Sequence, residues 1–213
     1  MMPMKTRPQR RQIETSAGRV DALGEVDLLS YKKVGVICSQ KCSGDVILKS
    51  YDFARLVRGC GIAIVSGFHS TVERDCLAIL LRGSDPIVIC QGHRLSTTRL
   101  PGQWQKAIVT GRLLLLSPFS ERDKRVTAEL AAERNRFVAA ISDILLIPYA
   151  AQGGKTEALA LELLSRGKRV YTFQRGGHVK LISNGAITVS PEFLVSSLGG
   201  SWEGILDAAH HKS

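Results

Sequence analysis

Two arginines bracket an asparagine in ERNRFVAAISDILLIPYA, Glu133 to Ala150, directly before an apolar run. If one helix covers Arg125 to Ser142, then Val126, Leu130, Phe137 and Ile141 share a stripe, and Arg134 falls on it. A guanidinium on a core-facing stripe is costly unless it meets an anion. If the helix instead breaks at Asn135, that residue caps a second short helix, and both arginines stand at its N-terminus. Either arrangement turns Arg134 or Arg136 toward an anion, unless the arginine snorkels out to solvent along its stem. Glu73 and Asp143 are the internal candidates, and a phosphate is the external one.

Four loops hold residues that suit phosphate. SQKCSG, FHST, QGHRL and AQGGKT each follow a strand-like apolar run, and each combines Gly, Ser or Thr with a basic or amide side chain. Backbone N–H groups in such loops, at helix N-termini, hold anions. QGGKTEA has the end of a nucleotide-binding P-loop but not its start. The position five residues before Gly154 is Tyr149 rather than glycine, so a phosphate-wrapping loop of that type is excluded. Gly153, Gly154 and Thr156 then open a helix toward an anion, or Gly-Gly simply makes the turn and Thr156 caps the helix.

The elements that position these loops follow from the apolar pattern. VGVIC, IAIVSG, PIVIC, GRLLLLSPF, ILLIPYA and RVYTF read as strands. Helical spacing fills Gly44 to Gly61, TVERDCLAILLRGS, Lys124 to Ser142 and EALALELLSRGK between them. KLISNGAITVS follows, then PEFLVSSL and WEGILDAAHH as two closing helices. Strands of continuous apolar character alternating with helices define an α/β, Rossmann-like, mostly parallel sheet covered by helices on both faces. Ligands in such a sheet bind at the carboxyl ends of the strands.

The chain has 213 residues, 44% of them hydrophobic, which suits one sizeable core. Residues 1–30 are polar and basic and read as an arm or short addition carrying Lys5, Arg7, Arg10 and Arg11. Residues 31–213 read as a single domain. Lysine and arginine outnumber aspartate and glutamate by 29 to 19, a formal charge of +10 that favours a polyanionic partner. Lys106, Arg99 and Arg112 are rim charges on composition alone. No apolar run reaches membrane-spanning length and no secretory h-region follows MMPMKTRPQRRQ, so a cytoplasmic location is expected. Cys38, Cys42, Cys60, Cys76 and Cys90 lack any C-x-x-C pair and read as reduced thiols in or near the core. The histidines are scattered, and neither a metal nor a cofactor is expected.

ERNRFVAAISDILLIPYA followed by GGKTEALALELLSRGKRVYTF resembles the core of the DNA-processing protein A (DprA/Smf) family. VGVICSQKCS resembles that family's first strand and Gly-Ser-Arg-x-x-Ser loop, and IVSGFHSTVERDCL its Ser-Gly-x-x-x-Gly-x-Asp segment. GRLLLLSPF and HVKLISNGA follow in the family's order, so the resemblance spans Val34 to Ala186. Cys38 stands where the family has the first-loop glycine and Gln40 where it has the first-loop arginine. In the second loop Ser70, Thr71 and Glu73 replace arginine, glycine and aspartate. The resemblance implies a Rossmann-like fold, single-stranded DNA bound in a positively charged pocket, homodimers, and delivery of DNA to a RecA-type recombinase. It implies no active site.

Carried over by position, the DNA or phosphate set is Ser39, Gln40, Lys41, Ser43, Gly67, Ser70, Thr71, Arg134 and Arg136; Gly153, Gly154 and Thr156 join it as the candidate anion turn. With aromatics at 6% of residues, Phe68, Phe119 and Trp104 are the few available for base stacking, and core packing competes for them. Two other functions share the fold. One is a nucleotide phosphoribohydrolase of the lysine-decarboxylase-like group, with Glu73 as acid or base in place of a misplaced Glu157. The other is a sensor that binds a nucleotide and passes the signal to a partner.

Overall fold

The computed structural model describes residues 9–95, 100–173 and 179–199. Lys5, Arg7, Arg99 and the WEGILDAAHH segment lie outside them.

Seven strands form the parallel part of the sheet: β3 (Lys33–Val36), β4 (Ala63–Ser66), β5 (Ile87–Cys90), β6 (Leu113–Ser117), β7 (Ile144–Leu146), β8 (Val170–Phe173) and β9 (Ile187–Val189). Two more, β1 (Arg11–Thr15) and β2 (Gly18–Gly24), pair antiparallel and attach to β6. The order across the sheet is β1-β2-β6-β5-β4-β3-β7-β8-β9. The chain therefore winds outward from β3 to β6, then returns to β3 and winds the other way. The order reverses between β3 and β7, where loops leaving the two strands diverge and open a crevice.

Each central strand sends alternate side chains to opposite faces, as a period-2 backbone requires. Val34, Ile64, Ile87, Leu113, Ile144 and Tyr171 join one buried cluster, while Val65, Val88, Leu114, Leu145 and Val170 join the other. Helices α1 (Gly44–Leu56), α2 (Thr71–Leu80), α3 (Gly102–Val109) and α7 (Pro191–Gly199) cover the first face through residues such as Phe53, Leu77, Ile108 and Leu194. Helices α4 (Ala128–Ile141), α5 (Lys155–Ser165) and α6 (Val179–Ser183) cover the second through Phe137, Val138, Leu159, Leu163 and Leu181. All five cysteines are free thiols; Cys38, Cys76 and Cys90 are buried and Cys42 and Cys60 half-buried.

The basic arm expected over residues 1–30 is, from Arg11 to Gly24, a hairpin built into the sheet edge. Val20, Ala22 and Leu23 are buried there, and Arg10 bonds to both Asp21 and Glu121. The polar composition belongs to an edge hairpin that is solvated on much of its surface. Helix α4 is continuous, so Asn135 caps nothing. It starts later than Arg125, because Thr127 takes the cap and accepts from the Leu130 N–H.

The last turn of α4 rests on the backbone of β3. A Cβ on Gly35 would lie 2.6 Å from Ser142 Oγ and 2.9 Å from Leu145 Cδ1, atoms fixed by the core. Gly35→Ala is expected to lower stability by about 1–3 kcal/mol through overpacking, read as a shift of the urea unfolding midpoint.

Candidate functional site

Arg134 answers the question its spacing raises. Its side chain lies on the buried face of α4 with Phe137, Val138 and Ile141, at 4% exposure. It crosses the carboxyl ends of β4 and β5. A Cβ on Gly67 would sit 2.5 Å from its Cζ and 2.8 Å from its Cδ, so the guanidinium lies directly against that glycine. Gly92, just beyond β5, is on the other side, with its Cβ position 3.5 Å from Nη1.

No carboxylate pairs with this buried cation among the described residues. Nε and Nη2 both donate to the Oδ1 of neighbouring Asn135, at 3.1 and 2.8 Å, and Nη1 has no partner. Burial lowers the guanidinium's affinity for its proton, and the field of Glu73 acts the other way. Arg136 is different. It is exposed and donates to Glu162 of α5, with Nη2 at 3.0 Å. Arg136 and Glu162 line a cleft of about 790 Å³ between α4 and α5, together with Ala131 and Ala158. Of the two arginines, Arg134 alone is aimed at the strand ends without a charged partner.

Glu73 does not pair with Arg134 because its oxygens are engaged elsewhere. Oε1 accepts the Cys38 N–H at 2.7 Å; Oε2 accepts the N–H groups of His69 at 2.7 Å and Ser70 at 3.3 Å. Ser70 Oγ in turn accepts the Glu73 N–H at 3.2 Å, which completes a capping box at the start of α2. One carboxylate thus joins the loop after β3 to the loop after β4. Between them Phe68 is buried at a φ of +48°, and its N–H is held by Ser66 Oγ.

The expected ligands divide accordingly. Ser70 is buried and its N–H serves Glu73. Thr71 is exposed in the first turn of α2, where Arg74 reaches it at 3.5 Å. Ser39 crosses the switch point: its N–H donates to Tyr149 O at 3.0 Å and its Oγ accepts the Ala151 N–H at 3.0 Å. Gln40, Lys41 and Ser43 are exposed beyond it, and Ser43 stands at the N-cap of α1 without a capping side-chain bond. Gly153 takes the turn at a φ of +67° and Gly154 is the N-cap of α5, while Thr156 lies inside the helix and caps nothing. Glu157 accepts the Gly153 N–H at 2.9 Å, so this helix start is already neutralised from within.

Other expected contributors lie elsewhere. Phe68 and Phe119 are buried in the core and Trp104 is packed against it, which leaves neither phenylalanine as a stacking platform. Arg112 directly precedes β6, and with Lys106 and Arg82 it lines a cleft at the amino ends of the strands, opposite the site. Conversely, the loop from β6 to α4 brings exposed Arg122, Lys124 and Arg125 to the carboxyl side, and α2 brings Arg74. ERDKR was visible in the sequence as a charge run, but only strand direction tells which end of the sheet it serves.

The fold is an open, doubly wound α/β protein, and its strand ends present a buried, uncompensated arginine under a rim of exposed cations. The chain belongs to the DNA recombination-mediator protein A family, whose model matches residues 9–197. Two solved relatives share the architecture. DNA processing protein A from Helicobacter pylori, a structure described for its single-stranded DNA binding mode, has a TM-score of 0.72 at 19% identity, covering 92% of this chain and 98% of that one. DNA processing protein A from Streptococcus pneumoniae has a TM-score of 0.69 at 18% identity, covering 84% of this chain; this chain spans 66% of that protein, just under two thirds of it. The molybdenum cofactor binding protein from Rippkaea orientalis is more distant, at a TM-score of 0.56 and 13% identity over 83% of this chain and 98% of that one. At such identities the likeness is one of fold. No curated protein matches the sequence.

Two stability changes of opposite sign follow. Glu73→Gln, which keeps the size but loses the charge and one acceptor oxygen, is expected to cost about 2 kcal/mol. Arg134→Met, which keeps the stem and removes an unpaired buried charge, is expected to raise stability by roughly 1 kcal/mol. Urea unfolding of both variants checks this, and destabilisation by Arg134→Met would mean the charge has a protein partner after all.

Proposed function

We propose that this chain binds single-stranded DNA across the carboxyl ends of its strands, as a non-enzymatic DNA-processing and recombination-mediator protein. The observation that carries the reading is the Arg134 guanidinium, buried at 4% exposure with Nη1 unpartnered. A fold tolerates such a charge at a cost of several kcal/mol, and an entering phosphate relieves it. Arg134 would hold one phosphate oxygen, with Gly67 allowing close approach. Lys41, Arg74, Arg122, Lys124 and Arg125 would neutralise neighbouring phosphates, while Gln40 and Ser43 offer neutral hydrogen bonds. The described single-stranded DNA binding mode of the Helicobacter pylori protein supports the same partner.

Ser70, Thr71, Gly153, Gly154 and Thr156 support the loops in this reading, and Arg136 is a surface ion pair. In this reading the described residues from Tyr31 to Gly199 belong to one domain, to which the N-terminal hairpin adds an edge. Homodimerisation, delivery of DNA to a RecA-type recombinase and action in the cytoplasm belong to the same proposal. It agrees with the finding that no helix among the described residues is long and apolar enough to cross a membrane. The hydrolytic reading needs a carboxylate free to move a proton, but Glu73 and Glu157 both accept backbone N–H groups.

Fluorescence anisotropy with a labelled oligothymidylate tests this. Affinity is expected to fall steeply with salt, and Arg134→Met to weaken binding about tenfold or more, the worth of one charge-assisted hydrogen bond. Arg136→Ala should stay within about twofold, as expected for an exposed pair. Salt-independent binding, or equal loss in the two variants, would count against Arg134 as the phosphate ligand.

A further inference from the structure

We infer that the cleft at the amino ends of β5 and β6 is a second anion site, which takes a phosphate group carried by a nucleotide-sized body. It lies at the opposite end of the sheet from Arg134 and goes beyond the proposed function. The cleft has a volume of about 440 Å³, and Arg82, Lys106 and Arg112 line it together with Gln103 and Thr110. No carboxylate is among its lining residues.

The fold holds these cations together and leaves them without counter-charges. Arg112 stands where two strands begin: its N–H donates to Ala107 O at 3.0 Å, and its carbonyl accepts the Ile87 N–H at 2.9 Å. Its Nη2 donates to the Leu81 carbonyl just past α2, while Nη1 has no partner. Arg58 packs against Gly83 of the cleft wall, where an added Cβ would lie 3.0 Å from its Nε, and its Nη2 donates to Arg82 O at 3.3 Å. The carboxylate whose field reaches Arg112 is Asp85, and neutral donors engage it. Its oxygens accept the Gly59 N–H at 2.7 Å and the Gly61 N–H at 3.1 Å. Among the described residues, no ion pair involves Arg58, Arg82, Lys106 or Arg112.

Helix ends are the remaining source of negative charge, and their magnitude is too small. Helices α2 and α3 both end at the cleft, with C-caps at Leu81 and Thr110, and each end carries about half a negative charge. With Asp85 as one full charge more, the four cations still leave roughly two positive charges there. Two guanidinium groups and an ammonium line the cleft with donors alone, which suits the acceptor oxygens of phosphate. The volume exceeds what inorganic phosphate fills and falls in the range of small-molecule sites, about 300–1,000 Å³. The phosphate therefore comes with a sugar and base attached, either in a free nucleotide or as one unit of a strand.

The test is isothermal titration of the full chain carrying Arg134→Met, which disables the strand-end site, with thymidine 5′-monophosphate and with a short and a long oligothymidylate. The mononucleotide is expected to bind, and adding Arg82→Gln with Lys106→Gln to weaken it about tenfold or more. Both side chains are exposed, so the urea midpoint should not move, and Lys106→Gln alone should give part of the loss. Arg112 is left in place because it holds the end of α2. A loss seen with the mononucleotide identifies a free nucleotide as the ligand. A loss seen only with the long oligothymidylate identifies a strand that reaches round the sheet, and either result supports the inference. Equal behaviour of all three probes with and without the two glutamine substitutions, absence of binding included, overturns it. The DNA reading is judged separately, on otherwise wild-type protein and the short oligothymidylate. There Arg82→Gln with Lys106→Gln should stay within about twofold, and failure of Arg134→Met to weaken binding counts against the strand-end site alone.

Discussion

The strand-end surface hangs on the Glu73 carboxylate. Three backbone N–H groups from two loops converge on its oxygens, and the helix that carries it is capped by the serine whose N–H it accepts. Without that carboxylate, buried amides after β3 and β4 would lack acceptors, and each would cost about 1–3 kcal/mol. The same engagement explains why Arg134 stays unpaired. The carboxylate close enough to influence it is held by neutral donors, so the buried cation keeps an Nη1 without a partner. Local satisfaction of one buried ion thus leaves its neighbour unsatisfied, a pattern that belongs to binding surfaces more than to cores.

The parallel sheet was legible because strands buried on both faces are written as unbroken apolar runs. LLLL in β6 and IVIC in β5 have no soluble alternative in so short a span. The edge hairpin was not legible, since RQIET and GRVDALG mix charges with apolar residues and show only brief alternation. Helix α3 is not legible because GQWQKAIV offers barely two turns, and β9 is not because three residues carry no period. Within the site, helical spacing alone put Arg134 on a buried stripe. It could not separate Arg134 from Arg136, which depends on where Glu162 falls on the next helix. The roles of Ser70 and Gly153 were open to reading, as each stands three or four residues before a glutamate that bonds back to it. The eye is drawn to glycine and serine as ligands, whereas here the acidic residue of each turn is the anion they serve.

Proteins of this fold, at TM-scores from 0.72 down to 0.56, are described for DNA and for a molybdenum cofactor. The scaffold supplies a crevice at the switch point and a row of strand ends; side chains decide what enters. In this chain the buried charge at the strand ends is Arg134, and the exposed cations Arg74, Arg122, Lys124 and Arg125 form the rim around it.

The switch point also sets an order of events during synthesis. Strand β3 pairs with β4 soon after both exist, but its other edge waits for β7, where Val34 meets Ile144. At typical elongation rates the delay is roughly 5–20 s. The N-terminal hairpin waits almost as long for β6, since Asp21 is opposite Ser117. Through that interval the nascent sheet has two open edges and no crevice, and Arg134 has not yet been placed against Gly67. The surface around Arg134 is therefore assembled late, once both open edges of the sheet have found their partners.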